Sequence, residues 1–180
     1  MNDPCRLIPS IVNGGDGEER NGRRQPFRNY AGQVGNKDAA VTAYLDRYAR
    51  SLTDFDAETG ASLWAEPGVI VDGTFSGVAA TREEMTKGLT ASFPLYRKLG
   101  LGSVGYEADE IRWLTDKLVQ VKVHWLFYDV NGGPLTDSTG YYVLRDSVDG
   151  LQACVCIQVD DVEKLTALAR ERGVELNPPG

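Results

Sequence analysis

Four side chains in this sequence have the type and setting for proton chemistry: Asp72, Tyr48, Tyr142 and His124. Asp72 follows the apolar run Val69-Ile70-Val71. A carboxyl delivered into an apolar pocket has its pKa raised, because desolvation disfavours the charged form. It can then move a proton on or off carbon near neutral pH. The same residue opens Asp72-Gly73, a strong two-residue turn signal, so it also reads as a bend between two strands. Tyr48 lies 24 residues earlier, on the apolar side of a helical pattern, where a phenol needs a hydrogen-bond partner. Tyr142 shares strand parity with Leu144 and so faces inward, with Arg145 outward. His124, the only histidine, sits mid-strand in Val121-Lys122-Val123-His124-Trp125. Val119, Val121, Val123, Trp125 and Phe127 hold the opposite parity, so His124 shares a face with Gln120, Lys122 and Tyr128. Facing inward it is a general acid/base; facing outward it is an interface residue.

The elements that must position these groups are legible in the periodicity. Val41, Tyr44, Leu45, Tyr48 and Leu52 fall on one face of a helix that starts at about Lys37. Asp54 or Asp56 caps a second helix through about Ala65, with Ala57, Ala61 and Trp64 on its inner face. Val69 to Val71 is a short strand, paired with Phe75 to Val78. Thr81-Arg82-Glu83-Glu84 is a capping box that starts a third helix carrying Met85, Leu89, Phe93 and Leu95. After Gly100 the period drops to two. Strands are expected over about 103–114, 118–129, 138–146 and 151–159, with hairpin turns at Asn131-Gly132-Gly133 and Asp149-Gly150. Asp160-Asp161-Val162-Glu163 caps a terminal helix that ends at Gly173. Residues 1–36, rich in Gly, Asn, Arg and Pro without a period, read as a flexible arm. The domain is expected over 37–175, with a tail over 176–180.

Composition narrows the partners. A net charge of −7 argues against nucleic acid and anionic membrane surfaces, which both need clustered Lys and Arg. No apolar run of about 18 residues is present, so no membrane-spanning helix is expected, and Met1 to Ser10 does not read as a signal peptide. The three cysteines, Cys5, Cys154 and Cys156, form no disulfide framework and fit a reducing, cytoplasmic location. Cys154 and Cys156, two apart on a strand, should share one face as small core residues. No phosphate loop, nucleophile elbow or metal cluster is present, so no cofactor and no metal are implied.

The run from Tyr48 to Asp72 — a tyrosine on a helix, an acidic cap, Trp64-Ala65-Glu66, then an apolar strand ending in aspartate — resembles the start of the nuclear transport factor 2-like superfamily. Gly140-Tyr141-Tyr142-Val143-Leu144-Arg145 with Asp149-Gly150 resembles its last hairpin. The likeness covers roughly residues 38–160 and is closest to ketosteroid isomerase. It implies an α+β fold in which a curved antiparallel sheet wraps around helices to form a cone with an apolar pocket. It also implies a homodimer through the outer sheet face, with Leu126 and Tyr128 as contacts. On the isomerase pattern Asp72 shuttles the proton, as a carboxyl tuned by an apolar site can. Tyr48 and Tyr142 would then hold the oxyanion. The acid that isomerases place near position 142 is missing here, which argues against true steroid isomerisation. His124 matches the general acid/base of the polyketide-cyclase branch. An epoxide-hydrolase pattern is poorly met, because adjacent Arg145 and Asp146 point to opposite faces, and a scytalone-dehydratase pattern needs paired histidines. Trp64, Phe93, Trp125 and Tyr44 are expected to line the pocket. The function implied is a cofactor-free isomerase, cyclase or dehydratase acting on a small hydrophobic carbonyl or polyketide-like compound. The alternative is a small-molecule-binding or dimerisation module without chemistry.

Overall fold

The computed structural model describes residues 34–176. The arm expected over 1–36 lies almost wholly outside the described residues, as do Cys5 and nearly all of the expected tail.

The chain builds α1 (Val34–Thr53), α2 (Ala57–Ser62), β1 (Trp64–Val71), β2 (Ser76–Ala79) and α3 (Arg82–Lys98). It continues as β3 (Leu101–Trp113), β4 (Leu118–Asp129), β5 (Pro134–Ser147), β6 (Gly150–Gln158) and α4 (Asp161–Glu171). The six strands form one curved, unclosed sheet in the order β2-β1-β6-β5-β4-β3. All neighbours are antiparallel except β1 and β6, which run parallel. The α+β architecture is therefore as expected. No helix among the described residues is long and apolar enough to cross a membrane.

Strict alternation decides which sheet face is inner. Val119, Val121, Val123 and Trp125 of β4 are buried, as are Ser138, Gly140, Tyr142 and Leu144 of β5. Against them α1 lays Val41, Tyr44, Leu45, Tyr48 and Ala49, the stripe that helical spacing predicts with Leu52 half-buried at its end. Polar contacts fix the angle of α1. The Tyr106 hydroxyl donates to Asp46 at 2.7 Å, the Trp113 indole to Asp38 at 3.3 Å, and the Val104 amide to the Thr53 hydroxyl at 2.9 Å.

Several boundaries depart from expectation. Trp64 and Ala65 open β1 instead of closing α2. Asp56 caps α2 by accepting from the Thr59 amide at 3.0 Å, and six residues complete the helix. Pro67 has no N–H to give to a ladder, and the register of β1 with β6 shifts between Trp64 and Val69. At α3, Thr81 accepts from the Glu84 amide as a capping box requires, but Glu84 reaches back to the Ala80 amide, one residue before the cap. Asp160 does not cap α4 with its side chain. Its carboxylate accepts from the Thr139 amide at 2.6 Å and so ties the start of α4 to β5. Finally, the pairing of β5 with β6 skips Cys154, a bulge that reverses side-chain parity. Cys156 inherits the inward face of Leu151 and Ala153 and is buried, whereas Cys154 is only half-buried, so the two do not share a face.

Two glycines give opposite expectations. A Cβ on Gly102, at the register shift between β3 and β4, would lie 2.6 Å from Val130 Cα and still closer to the Asp129 carbonyl. Gly102→Ala should destabilise the fold by about 1–3 kcal/mol, the range for overpacking against atoms that cannot move aside. Gly88, in α3, is exposed and a Cβ there meets nothing. Gly88→Ala should stabilise by about 0.5–1 kcal/mol. Urea unfolding of the two variants checks both signs.

Candidate active site

The residues singled out from the sequence separate into three places. Tyr44, Tyr48, Trp64, Trp125 and Tyr142 come together between α1 and the inner sheet face, each no more than 6% exposed. The Tyr48 ring lies 5.7 Å from Trp125 and 6.4 Å from both Trp64 and Tyr142, in edge-to-face geometry. The Trp125 indole donates to the Tyr142 hydroxyl at 3.2 Å. The Tyr44 hydroxyl and the Trp64 indole N–H are buried without partners. Burial raises the pKa of Tyr44, Tyr48 and Tyr142, so all three stay neutral hydrogen-bond donors. Phe93 is buried elsewhere, edge-on to Phe55 at 5.4 Å. The four aromatics expected to line a pocket thus pack as core, and none borders the cavity described below.

Asp72 is not in that interior. It occupies the β1–β2 turn and accepts three hydrogen bonds at one oxygen: from the Thr74 amide at 2.6 Å, the Phe75 amide at 2.7 Å and the Thr74 hydroxyl at 3.0 Å. The Thr74 amide contributes most to holding its pKa below the usual carboxylate value. The Asp-Gly turn signal decides the position, and these donors favour the charged form, opposite to the effect of desolvation.

His124 also lies outside the interior. The apolar parity of β4 takes the inner face, which leaves His124 on the outer one. There Nε2 is 3.0 Å from Asp137 Oδ2 and Nδ1 is 3.7 Å from Glu107. The Asp137 hydrogen bond is the main cause of its raised pKa. Asp137 in turn holds Lys164 of α4 at 2.7 Å, and Lys164 is the main cause of its lowered pKa. The chain His124–Asp137–Lys164 therefore clips α4 to the sheet rim.

Beneath that clip lies a cavity of about 150 Å³. Its apolar wall is Tyr96 and Leu99 at the end of α3, Phe127, Leu135, and Leu165 and Leu168 of α4. Its polar side carries Thr136, Asp137, Ser138, Gln158, Asp161 and Lys164. Burial raises the Asp161 carboxyl to about 6, and Asp160 beside it adds to the shift. The Gln158 amide, donating at 3.0 Å, and the nearby Ser138 hydroxyl act in the other direction. Ser138 nonetheless completes no hydrogen bond of good geometry and is 4% exposed. The charge of Asp161 also reaches inward, where it contributes to the raised pKa of Tyr48, Tyr96 and Cys156; for Cys156, pushed to about 12, burial is the larger cause. Asp161 is the carboxyl that sequence reasoning missed. It reads as part of a helix cap, yet Asp161, Leu165 and Leu168 fall at i, i+4 and i+7, one inward stripe. Among the described residues no cluster of three or more His, Cys, Asp and Glu could hold a metal ion.

The outer-face clip has a pH signature. The folded pKa of His124 is raised, so its contribution to stability is complete below the unfolded value of about 6.5 and is lost as pH rises through the folded one. Wild type should exceed His124→Gln in stability at pH 5.5, and the gap should close by about pH 8.5 in urea titrations.

Residues 37–161 match the family model described as NTF2-like protein (DUF6841). A search of the curated proteins finds no match. Solved structures share the fold at low identity. An NTF2-like protein of unknown function from Shewanella oneidensis is 12% identical at TM-score 0.57, over 69% of this chain and 99% of that one. A protein of unknown function from Mycobacterium tuberculosis is 13% identical at TM-score 0.57, over 83% and 98%. A ketosteroid isomerase-like protein from Erwinia carotovora is 17% identical at TM-score 0.52, over 72% and 97%. With its matched segment running from α1 to the first residue of α4, this chain belongs to the NTF2-like family DUF6841.

Proposed function

We propose that this protein binds a small, mainly apolar molecule in the cavity beneath α4 and moves a proton on it with Asp161, without a cofactor. The observation that carries this reading is the Asp161 carboxyl, raised to about 6, on the wall of a cavity that also presents Tyr96, Leu99, Phe127, Leu165 and Leu168. Such a group is poised near neutral pH, where a general acid/base works best. Asp161 is proposed as the proton carrier in place of Asp72, while Tyr48 and Tyr142 belong to the packed core and do not border the cavity. The size of the cavity limits the substrate. About 150 Å³ accommodates one six-membered ring, so the reading favours a single-ring carbonyl compound over a four-ring steroid.

The packed aromatic interior supports a second reading, a binding module without chemistry, because Trp64, Trp125 and Phe93 fill space that a larger substrate would need. Proton exchange separates the two. With cyclohexanone in D₂O, the base takes an α-proton to Asp161 and returns a deuteron to the same carbon. Exchange followed by NMR should be accelerated by the wild-type protein, and Asp161→Asn should lose at least about 100-fold of that acceleration. Binding without exchange would leave the module reading standing.

Stability gives an independent check on Asp161. Its folded pKa is above the unfolded value of 3.8, so the folded state binds the extra proton. Stability from this group is present below pH 3.8 and is lost as pH rises to about 6. Asp161→Asn should therefore be more stable than wild type at pH 7.5, by about 1–2 kcal/mol after discounting for its partial exposure, and should lose that advantage at pH 4.

The outer sheet face, with half-buried Leu126 and Tyr128, is the proposed homodimer surface. Sedimentation should give a dimer for wild type and a monomer for Leu126→Glu.

A further inference from the structure

The cavity beneath α4 also carries information about the polar group of its ligand, on the reading that it is a small-molecule site. Its charged residues are already committed. Asp137 spends one oxygen on Lys164 at 2.7 Å and the other on His124 at 3.0 Å. Lys164 is taken by Asp137. Of the polar groups on the cavity wall, Asp161 and Ser138 lie against each other and retain capacity. Asp161 accepts one side-chain amide, from Gln158 at Oδ2, and a carboxyl has about four acceptor positions in all. The Ser138 hydroxyl is 4% exposed and lies against that carboxyl without completing a hydrogen bond of good geometry. An unpartnered buried hydroxyl is costly, and a ligand atom that completes it recovers that cost.

These two groups select among ligand classes. An anionic ligand meets Asp137 and Asp161, and the one cation of the lining, Lys164, is already paired with Asp137. An ammonium brings three donors and accepts nothing, so it leaves the Ser138 hydroxyl proton without an acceptor. An ether or hydrocarbon leaves Ser138 or Asp161 unanswered. A hydroxyl both donates and accepts, so it completes both groups at once. We infer that the site takes a neutral single-ring compound whose polar group is one hydroxyl or enol oxygen, held between the Asp161 carboxyl and the Ser138 hydroxyl. Ser138 is then the residue that sets specificity, and an enol is the form a ring ketone adopts once Asp161 has taken its α-proton and returned it to the oxygen.

The test uses four molecules of one ring size: phenol as the planar ring hydroxyl closest to an enol, with toluene, benzylamine and benzoate. Each is titrated into the full chain at pH 7, and amide and methyl NMR signals of Phe127 and Leu165 report occupancy of this cavity. Phenol should bind at least about 10-fold more tightly than the other three. Ser138→Ala should reduce the preference for phenol over toluene at least threefold while leaving toluene affinity unchanged. That variant removes an unpaired buried hydroxyl, so it should melt no lower than wild type, and Ser138→Thr, which keeps the hydroxyl, should retain the preference. Equal binding of toluene and phenol, a preference for benzylamine or benzoate, or a preference untouched by Ser138→Ala would each overturn the assignment while leaving the cavity as a binding site. Failure of all four to move the Phe127 and Leu165 signals would overturn the cavity reading itself.

Discussion

The ring of Tyr48, wedged among Trp64, Trp125 and Tyr142, is the contact on which the rest of the molecule depends. It joins α1 to three strands, β1, β4 and β5, that are far apart in sequence. Each of these side chains contributes about 1.5–3 kcal/mol by leaving water, and the edge-to-face geometry adds to this. The wedge also props the sheet in its curve, since an inner face lined by indoles and phenols cannot flatten onto α1. One consequence is that the middle of the fold is full. The cavity lies toward the rim, where the aromatic layer stops and Leu99, Leu135 and Leu168 take over.

That placement moves the chemistry outward. In the centre, burial makes phenols and the Cys156 thiol harder to ionise, so nothing there carries charge near neutrality. At the rim, Asp161 is half in water and half out, which is enough to raise its carboxyl without abolishing ionisation. The helix that carries it is held by the Lys164–Asp137 pair and by the small apolar cluster of Leu99, Leu168 and Ala169. Only its first residue falls inside the segment shared with the family model. The shared fold thus supplies the floor and walls, and the following helix supplies the roof.

Much of this was legible in the residues. The α1 stripe and the alternation of β4 are long, strongly periodic patterns, and both state correctly which side is buried. Asn131-Gly132 and Asp149-Gly150 turn where Asp-Gly and Asn-Gly turns should, with Gly132 and Gly150 at positive φ. The misreadings have specific causes. Trp64 fits an i, i+3 or i, i+4 pattern with Ala57 and Ala61 as well as it fits the head of a strand, and a six-residue helix offers too little periodicity to choose. Cys154 changes the parity of β6 through a bulge, which no pairwise count along one strand can reveal. Asp72 had two readings and the turn prevailed, because a carboxylate beside three donors is better served there than in an apolar interior. Asp161 was hidden by its neighbour: in an Asp-Asp pair at a helix start, both look like caps, and the side chain that turns inward is identified by its spacing from Leu165 and Leu168.

The parallel pairing of β1 with β6 sets an order on assembly. β1 lies between β2 and β6, so its inner edge has no partner until residues 153–157 exist. Everything from β2 to the β5–β6 turn must be threaded before that seam can close, a loop of roughly eighty residues whose closure entropy is spent before the seam forms. β3, β4 and β5 can pair by hairpins as they emerge, but the inner edge of β1 waits for β6. The fold is therefore locked from its C-terminal end, and the site roof formed by α4 follows immediately after that lock.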